Sequence, residues 1–224
     1  FDANLTSLET GTTYYFQAYA VNAKGTAFGS VLSFTTPPQL PIAPAFIDIP
    51  ATFWGYSAIT SLSRQGIVAG YQDNTFRPDA AITRAEFAAM LIKALGLNES
   101  GNSGQFKDVL PGAWYYAAVN NAAKQGLISG TGDNLFSPEA LITREQMAVM
   151  VSKALGNQAP VIDGSELDAF ADKSAVSFWA VTGMEQAVRS GIIKGITPGM
   201  LAPRSDATRA QAAVMVYQLL NILK

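Results

Sequence analysis

Apolar residues recur at spacings of three and four in three stretches of the chain, which places their bulk on one face of a helix. The positions are Phe87, Met90, Leu91, Ala94 and Leu95, then Met147, Met150, Val151, Ala154 and Leu155, and then Ala212, Met215, Val216, Leu219 and Leu220. Each stretch follows a Thr that has Glu or Gln three residues later, the pattern of a capping box. We therefore predict helices that begin after Thr83, Thr143 and Thr208.

A shorter helix is predicted ahead of each capped helix. The first runs from Trp54 to Gln65, and Gly66 supplies its C-terminal cap. The equivalent helices begin at Trp114 and Trp179. Their inward-facing pairs are Ile59 and Leu62, Val119 and Ala122, and Met184 and Ala187. Each unit therefore has two helices with an apolar face.

Residues 1–36 alternate with a period of two instead, which is typical of β-strands. Successive side chains from Thr12 to Val21 fall on opposite faces, and a second β run covers Ser30 to Thr35. Residues 37–45 are rich in Pro and are predicted to form an extended linker. The chain thus divides into a short β part and a longer helical part.

An internal repeat organises the helical part. An offset of sixty relates Phe46, Asp48, Trp54, Gly66, Gly70, Phe76, Pro78, Thr83 and Arg84 to Phe106, Asp108, Trp114, Gly126, Gly130, Phe136, Pro138, Thr143 and Arg144. A third copy has Phe170, Asp172, Trp179, Gly191, Gly195, Pro203, Thr208 and Arg209. One copy is too small to bury both of its helices, so the capped helices are expected to pack together as a pseudo-threefold bundle.

Composition excludes several kinds of chemistry. The 224 residues carry a net charge of −2 and include no Cys and no His, which rules out disulfides, Cys/His zinc sites and His-based triads. The low charge does not indicate a nucleic-acid partner, and no apolar run is long enough to span a bilayer. The chain begins without Met, and we expect it to be a piece of a longer precursor, so the absence of a leader says nothing about export.

The recurrent Arg at the start of each capped helix is unusual, since the helix dipole disfavours a cation there. Exposed amides at helix starts favour anions, so Arg84, Arg144 and Arg209 could form a repeated receptor for an acidic group. The alternative is that each Arg pairs with a nearby Asp or Glu and only holds the fold.

The pattern Phe-x-Asp, Trp, Gly, Gly, Phe, Pro and Thr-Arg-Ala-Glu in three tandem copies resembles the S-layer homology (SLH) domain, over residues 46 to about 222. The resemblance implies a mainly α fold, a three-pronged spindle around a central three-helix bundle. It implies a non-catalytic, extracellular anchor that needs no cofactor or metal. Its expected partner is a secondary cell-wall polysaccharide that carries pyruvylated N-acetylmannosamine, with no nucleic acid, no membrane insertion and a monomeric state for this piece.

The β part resembles the end of a fibronectin type III domain, through Leu8, Thr12, Tyr14 and the ending Phe34-Thr35-Thr36-Pro37. Only its last strands would be present, and it is interpreted as a spacer. The predicted organisation is then a partial fibronectin-like segment (1–36), a linker (37–45) and SLH repeats at 46–97, 106–156 and 170–224.

Four recurrent residue types are candidates for carbohydrate binding. They are Arg84, Arg144 and Arg209; Trp54, Trp114 and Trp179; Asp48, Asp108 and Asp172; and Gly70, Gly130 and Gly195. The Arg groups would bind the pyruvate carboxylate with help from first-turn amides. Each Trp is a sugar platform, a core anchor or both. Each Asp accepts sugar hydroxyls, caps a local turn or does both, and each Gly allows close approach of the ligand or a positive φ.

The copies also differ from one another. Glu145 follows Arg144 directly and could partly neutralise that site or steer the Arg. In the third copy, residues 196–199 replace the loops around Asp73-Asn74 and Asp133-Asn134, so unequal sites are expected, with any groove that uses the third loop the most doubtful. These Asp-Asn pairs lack the ligand series of a calcium loop, and turn formation is favoured.

Two other functions are alternatives to a wall anchor. A glycan-cleaving enzyme needs two facing carboxylates, and no such pair stands out in the sequence. The chain could instead be a segment for S-layer self-assembly, or the anchor of a wall-bound glycoside hydrolase whose catalytic domain lies upstream.

Overall fold

The computed structural model describes residues 5–6, 8–37, 46–97 and 104–224. The chain forms two compact units, Phe1–Ile42 and Ala43–Lys224. The structure is about 36% helical and 15% strand, with six α-helices and one two-stranded sheet in the described residues. It is therefore mixed rather than mainly α, because the first unit contributes only strands.

The first unit is an antiparallel hairpin of β1 (Thr13–Asn22) and β2 (Gly25–Thr35), with a register shift between Gln17 and Tyr19. The second strand begins five residues earlier than predicted, since the ladder continues up to the pair of Asn22 and Gly25. The Tyr14 hydroxyl accepts a hydrogen bond from the Glu9 amide at 2.7 Å, an upstream backbone contact of the kind that a tyrosine corner makes. The fibronectin resemblance stays a prediction, and most of the predicted linker lies outside the described residues.

The second unit contains the six helices. They are α1 (Tyr56–Arg64), α2 (Arg84–Ala94), α3 (Tyr116–Lys124), α4 (Arg144–Leu155), α5 (Val181–Arg189) and α6 (Arg209–Leu223). The first helix of each copy begins two residues after its Trp rather than at it. The predicted end of α1 is confirmed: Gly66 has φ 69°, and the Ile67 amide donates to the Leu62 carbonyl at 2.9 Å.

Capping boxes begin all three second helices, as the sequence predicts. At α2, the Thr83 hydroxyl accepts from the Glu86 amide at 3.2 Å, and Glu86 Oε2 accepts from the Thr83 amide at 2.8 Å. Gln146 and Gln211 make the equivalent pairs of bonds at α4 and α6. The short-range pattern in the sequence therefore fixes where each of these helices starts.

Each second helix packs against the first helix of the next copy: α2 on α3, α4 on α5, and α6 on α1. Helix α6 also packs against α2 and α4. A closed triangle of backbone bonds joins the residues just before the three second helices. The Ile82 amide donates to Ala207 (3.1 Å), the Ala207 amide to Ile142 (2.8 Å) and the Ile142 amide to Ile82 (3.0 Å). The three copies therefore form a ring.

The core runs through all three copies. The predicted inward pairs of the first helices are all buried, and so are Phe87, Leu91, Met147 and Val216 on the second helices. Burial also includes Ala88 and Ile92, beyond the predicted stripe, because α2 has neighbours on several sides. Within the described ranges, no helix is both long enough and apolar enough to cross a bilayer.

Candidate functional site

The recurrent Asp of each copy holds the loop that precedes the second helix. Asp108 accepts from the amides of Phe136 (2.9 Å) and Ser137 (2.7 Å) through its two carboxylate oxygens. Asp48 and Asp172 do the same in the first and third copies. The second amide always belongs to a non-glycine residue with positive φ, which is 58° at Ser137. Turn capping is thus the role that these contacts show for the three Asp residues.

The recurrent Arg reaches across to the loop of the next copy. Arg84 Nε donates to the Phe136 carbonyl at 2.8 Å, and its Nη2 donates to the Ser129 carbonyl at 3.1 Å. Arg144 binds the carbonyls of Leu201 and Lys194 in the same way, and Arg209 binds those of Phe76 and Ala69. No carboxylate within the described part of the chain forms a salt bridge with any of the three Arg residues. The alternative in which each Arg pairs with a nearby Asp or Glu is therefore wrong, and backbone carbonyls hold the guanidinium groups instead.

Asp and Arg act on opposite sides of one residue. Asp108 holds the Phe136 amide and Arg84 holds the Phe136 carbonyl, so a carboxylate and a guanidinium are joined through backbone rather than by direct contact. Each Arg therefore fastens its own copy to an Asp-braced loop of the next.

The first-turn amides are already used. The Arg84 amide donates to Ala140 at 2.9 Å, the Ala85 amide donates to Pro138 at 3.0 Å, and the Glu86 amide donates to Thr83. The expectation that these amides help to bind an anion is wrong, because the next copy takes up the first two and the capping box takes up the third.

Two of the three guanidinium groups are buried without a counter-charge in contact. Arg84 and Arg144 are each 5% exposed, and Nη1 of each has no hydrogen-bond partner among the described residues. Burial lowers the pKa of Arg84 and of Arg144, while Asp108 and Asp172 respectively act in the opposite direction. Nη1 of Arg84 and of Arg144 is not among the fully buried atoms that lack a partner, so it stays accessible to a ligand. A guanidinium that is largely withdrawn from water and keeps such an open N–H group favours an anionic partner.

A cavity of about 550 Å³ or slightly less lies beside each of these groups. The Arg84 cavity (540 Å³) is lined by Arg84, Gly130, Gln146, Lys153 and Trp179, among others. The Arg144 cavity (550 Å³) is lined by Arg144, Gly195, Gln211, Asp79 and Trp54, among others. Each cavity thus combines an Arg, a Gly and a Trp that come from three different copies.

The three Trp side chains lie at the surface. Trp54 is 62% exposed, Trp114 65% and Trp179 48%. The core-anchor alternative is therefore wrong, because the first helices begin after the Trp and bury other side chains. Trp54 and Trp179 line the two cavities, so their exposed side chains are accessible to a ligand there.

The recurrent Gly leaves no room for a side chain. A Cβ on Gly130 would lie 2.6 Å from the Leu135 carbonyl oxygen and 3.0 Å from the Phe106 ring, and Gly70 and Gly195 are crowded in the same way. None of the three has positive φ, so that alternative is wrong. The loop folds back on itself here, and at Gly130 and Gly195 it also lines a cavity.

Sequence reasoning missed Lys153 and the cavity role of Gln146 and Gln211. Lys153 Nζ donates to the Ser129 hydroxyl at 2.8 Å, and burial lowers the pKa of its ammonium. Lys153 occupies the position of Lys93 in the first copy, but Gln218 replaces it in the third. Lys153 therefore does not belong to the set of residues that recur in all three copies, which is the signal that the repeat provides.

Glu145 does not act on its neighbour Arg144. Its carboxylate is buried and accepts from the Ser177 amide (2.9 Å) and the Ser177 hydroxyl (2.8 Å). It therefore holds the start of the short 3-10 segment Phe178–Ala180 that carries Trp179.

The Asp73-Asn74 pair forms a turn, as expected: Asp73 accepts from the Thr75 hydroxyl and amide, and these bonds lower its pKa to about 2.

Comparison with protein families gives the same three copies. The family described as S-layer homology domain matches residues 45–88, 105–148 and 169–213. The chain belongs to the S-layer homology family. The three matched ranges begin one residue before Phe46, Phe106 and Phe170 and include the capping box and the Arg of each copy.

Relatives of the SLH region occur in several kinds of protein. Exoglucanase XynX of Acetivibrio thermocellus is 36% identical over 169 residues, which cover 75% of this chain and 16% of that enzyme. The surface-layer 125 kDa protein of Lysinibacillus sphaericus is 34% identical over 166 residues, covering 72% and 14%. The cellulosome-anchoring protein of Acetivibrio thermocellus is 33% identical over 148 residues, covering 64% and 32%. The chain thus spans less than a third of each of these relatives.

These matches place the protein outside the cell, at the cell surface and in association with the wall. The SLH domain is a wall-binding module rather than a catalytic one, and the enzymes among the relatives match through their SLH region. The SLH region of this chain is homologous to the wall-anchoring regions of glycoside hydrolases and S-layer proteins.

Proposed function

We propose that the Arg84 and Arg144 cavities bind pyruvylated N-acetylmannosamine of a secondary cell-wall polysaccharide, and so anchor an exported bacterial protein. One observation carries the proposal: each cavity contains a buried guanidinium whose Nη1 lacks a partner in the described residues, together with an exposed Trp. A carboxylate bound to Nη1 would supply the missing counter-charge through a charge-assisted hydrogen bond.

The size and chemistry of the cavities suit a sugar. Their volumes lie within the range of about 300–1,000 Å³ that is usual for small-molecule sites. The indole of Trp179 or Trp54 offers an apolar surface for the sugar ring. Gln146 and Gln211 line the cavities, and their amides could bond hydroxyls where the capping bonds leave them free.

The proposal includes a spindle-shaped arrangement of the three copies. A pseudo-threefold arrangement around a central three-helix bundle is supported by the closed triangle through Ile82, Ala207 and Ile142, and by the packing of α6 on α2 and α4. Because the Arg84 and Arg144 cavities each draw on three copies, a single copy at 46–97, 106–156 or 170–224 is not expected to bind the polymer.

The anchored cargo is proposed from the relatives. Their names include an exoglucanase, a surface-layer protein and a cellulosome-anchoring protein. We therefore propose that the 224-residue chain is the anchor of a longer surface protein, either a glycoside hydrolase or an S-layer component, with the fibronectin-like part as a spacer.

The ligand is tested by retention of the chain on purified wall sacculi. Retention is expected on native sacculi and is expected to fall to background after the pyruvate ketals are removed by mild acid, with sacculi that have lost the whole polymer as the control. Equal retention before and after ketal removal would refute the carboxylate as the recognised group.

Replacement of Trp179 by Ala tests the proposed platform. We expect affinity for a pyruvylated N-acetylmannosamine glycoside at the Arg84 cavity to fall roughly fivefold, since an aromatic contact contributes about 1 kcal/mol beyond burial. Isothermal calorimetry would measure this change, and the Tm should hardly change because the ring is exposed. Trp114→Ala is the matched control and should leave both cavities unaffected; an equal loss in that variant would contradict the assignment.

A further inference from the structure

The surroundings of Arg209 differ from those of the other two recurrent Arg residues. Its guanidinium carbon lies 4.7 Å from the centre of the Phe76 ring and 5.1 Å from the centre of the Tyr71 ring. A second guanidinium, that of Arg77, lies 3.8 Å from the Tyr71 ring centre and pairs with Asp73 at 3.0 Å. Tyr71 is thus held between the loop of its own copy and the Arg of the third copy.

The other copies cannot build this cluster. Thr131 and Ile196 occupy the position of Tyr71, and Ser137 and Ala202 occupy the position of Arg77. Among the residues that the structure describes, the ring in contact with the Arg84 guanidinium is that of Phe136, at 4.6 Å. A Tyr ring against the guanidinium is therefore particular to the place where the third copy meets the first.

The groove beside Arg209 also differs at the capping-box position, where it has an acid instead of Gln. Gln146 lines the Arg84 cavity and Gln211 lines the Arg144 cavity, one turn into the helix that forms each wall. The equivalent residue beside Arg209 is Glu86, whose carboxylate accepts the Thr83 amide. A negative charge at this position disfavours an anionic ligand.

Arg209 also helps to hold two copies together. Arg84 and Arg144 do this for copies that the peptide chain already connects. Successive copies are joined by short connections, but the third and first copies are not adjacent in sequence. The Arg209 bonds to Phe76 and Ala69 span 133 and 140 residues. They help to close the ring where no connection does so.

We infer that the third groove, which repeat equivalence assigns to Arg209, Gly70 and Trp114, is closed to the acidic saccharide, with Tyr71 and Glu86 as the residues that exclude it. The inference rests on the proposed function. Arg209 then acts as the ring-closing residue, and the chain has two saccharide sites rather than three.

Binding stoichiometry tests the inference. Calorimetry of the 224-residue chain with a pyruvylated N-acetylmannosamine glycoside should give two equivalents, and Arg209→Gln should still give two while lowering the Tm. The double variant Tyr71→Thr, Glu86→Gln places in this groove the Thr and Gln that the second copy has at the equivalent positions, Thr131 and Gln146, and should give three. Three equivalents for the natural sequence, one for Arg209→Gln, or no gain in the double variant would overturn the inference.

A measurement without ligand separates this inference from the proposed function. In a double-mutant cycle, the Tm losses of Tyr71→Thr and Arg209→Gln should be non-additive by about 2–4 °C, as expected for one cation–π contact in a unit of this size. The matched pair Thr131→Ala and Arg84→Gln should be additive. If the natural sequence binds no glycoside, the proposed ligand is refuted, and an additive Tyr71–Arg209 cycle would by itself overturn the cluster that closes the groove.

Discussion

Replacement of both Arg84 and Arg144 by Gln is expected to abolish retention on pyruvylated wall polymer. Loss of one charged hydrogen bond weakens binding by about 1.5–3 kcal/mol, or roughly 10–150-fold at each cavity. The two losses act together on a polymer-coated surface, because each remaining contact loses the avidity that the other provided. Gln is chosen because its amide can still donate to one of the carbonyls that Arg binds in the next copy.

The two single variants should differ in how strongly they reduce retention on the wall polymer. Each cavity is lined by a second cation, Lys153 beside Arg84 and Lys194 beside Arg144, but only the Arg144 cavity is also lined by an acid, Asp79. The Arg84 cavity therefore has the more positive potential and should hold the acidic saccharide more tightly. We expect Arg84→Gln to reduce retention more than Arg144→Gln, and raised salt to weaken the Arg84 cavity more strongly.

Charge and stability need separate controls in this experiment. Arg64→Gln removes the same charge from an exposed site at the end of α1 and should leave retention unchanged. Thermal unfolding of each variant fixes a temperature at which all are folded, since loss of the inter-copy bonds also lowers the Tm. Undiminished retention of the folded double variant would refute the role of both guanidinium groups.

The features that the sequence predicts well are those set by neighbours along the chain. Thr83 and Glu86 make a capping box within a single turn, and Gly66 ends α1 through its own φ. Equivalent residues do the same in the other copies. These patterns need no knowledge of what the helix packs against, so the positions and ends of the second helices follow from the residues alone.

The site itself depends on which copy meets which, and the repeat does not encode this. The sequence identifies Arg84, Gly130 and Trp179 as members of three equivalent sets, but only the structure brings these three together. The unknown pairing of the copies also explains why the prediction that the first-turn amides bind an anion is wrong. They look free when one copy is read alone, and they are occupied because the loop of the next copy covers them.

Asp residues illustrate a different limit. A carboxylate before a turn can bond either a ligand or the backbone, and composition does not distinguish the two. The contacts of Asp48, Asp108 and Asp172 go to the amides of residues that lie some 28–30 positions further along. No pattern in a short window reveals a partner at that distance.

Replacement of Asp172 by Asn should cost about 2–3 kcal/mol, because one of two charge-assisted bonds is lost and an amide group then faces an amide donor. Asp172 bonds the Leu201 amide at 2.9 Å and the Ala202 amide at 2.7 Å, and Ala202 has φ 50°. The loop that Arg144 binds would lose its brace. The Tm should fall by about 5–10 °C for a unit of this size, whereas Asp168→Asn, at an exposed ion pair with Lys173, should change it little.

The pH dependence of the Tm separates the contribution of the Asp172 charge from that of the shape of its side chain. Burial raises the pKa of Asp172, but hydrogen bonds from the Leu201, Ala202 and Asp172 amides, together with the nearby charge of Arg144, lower it more, and the net shift is downward. Since the folded state binds this proton less readily than the unfolded state, the stabilisation is complete above the unfolded pKa of about 4 and is lost as the pH falls through the folded value. The Tm gap between the natural sequence and Asp172→Asn should therefore be full at pH 6–7, by this linkage, and should narrow below about pH 4. A gap that stays constant across this range would show that the charge of Asp172 contributes nothing to the brace.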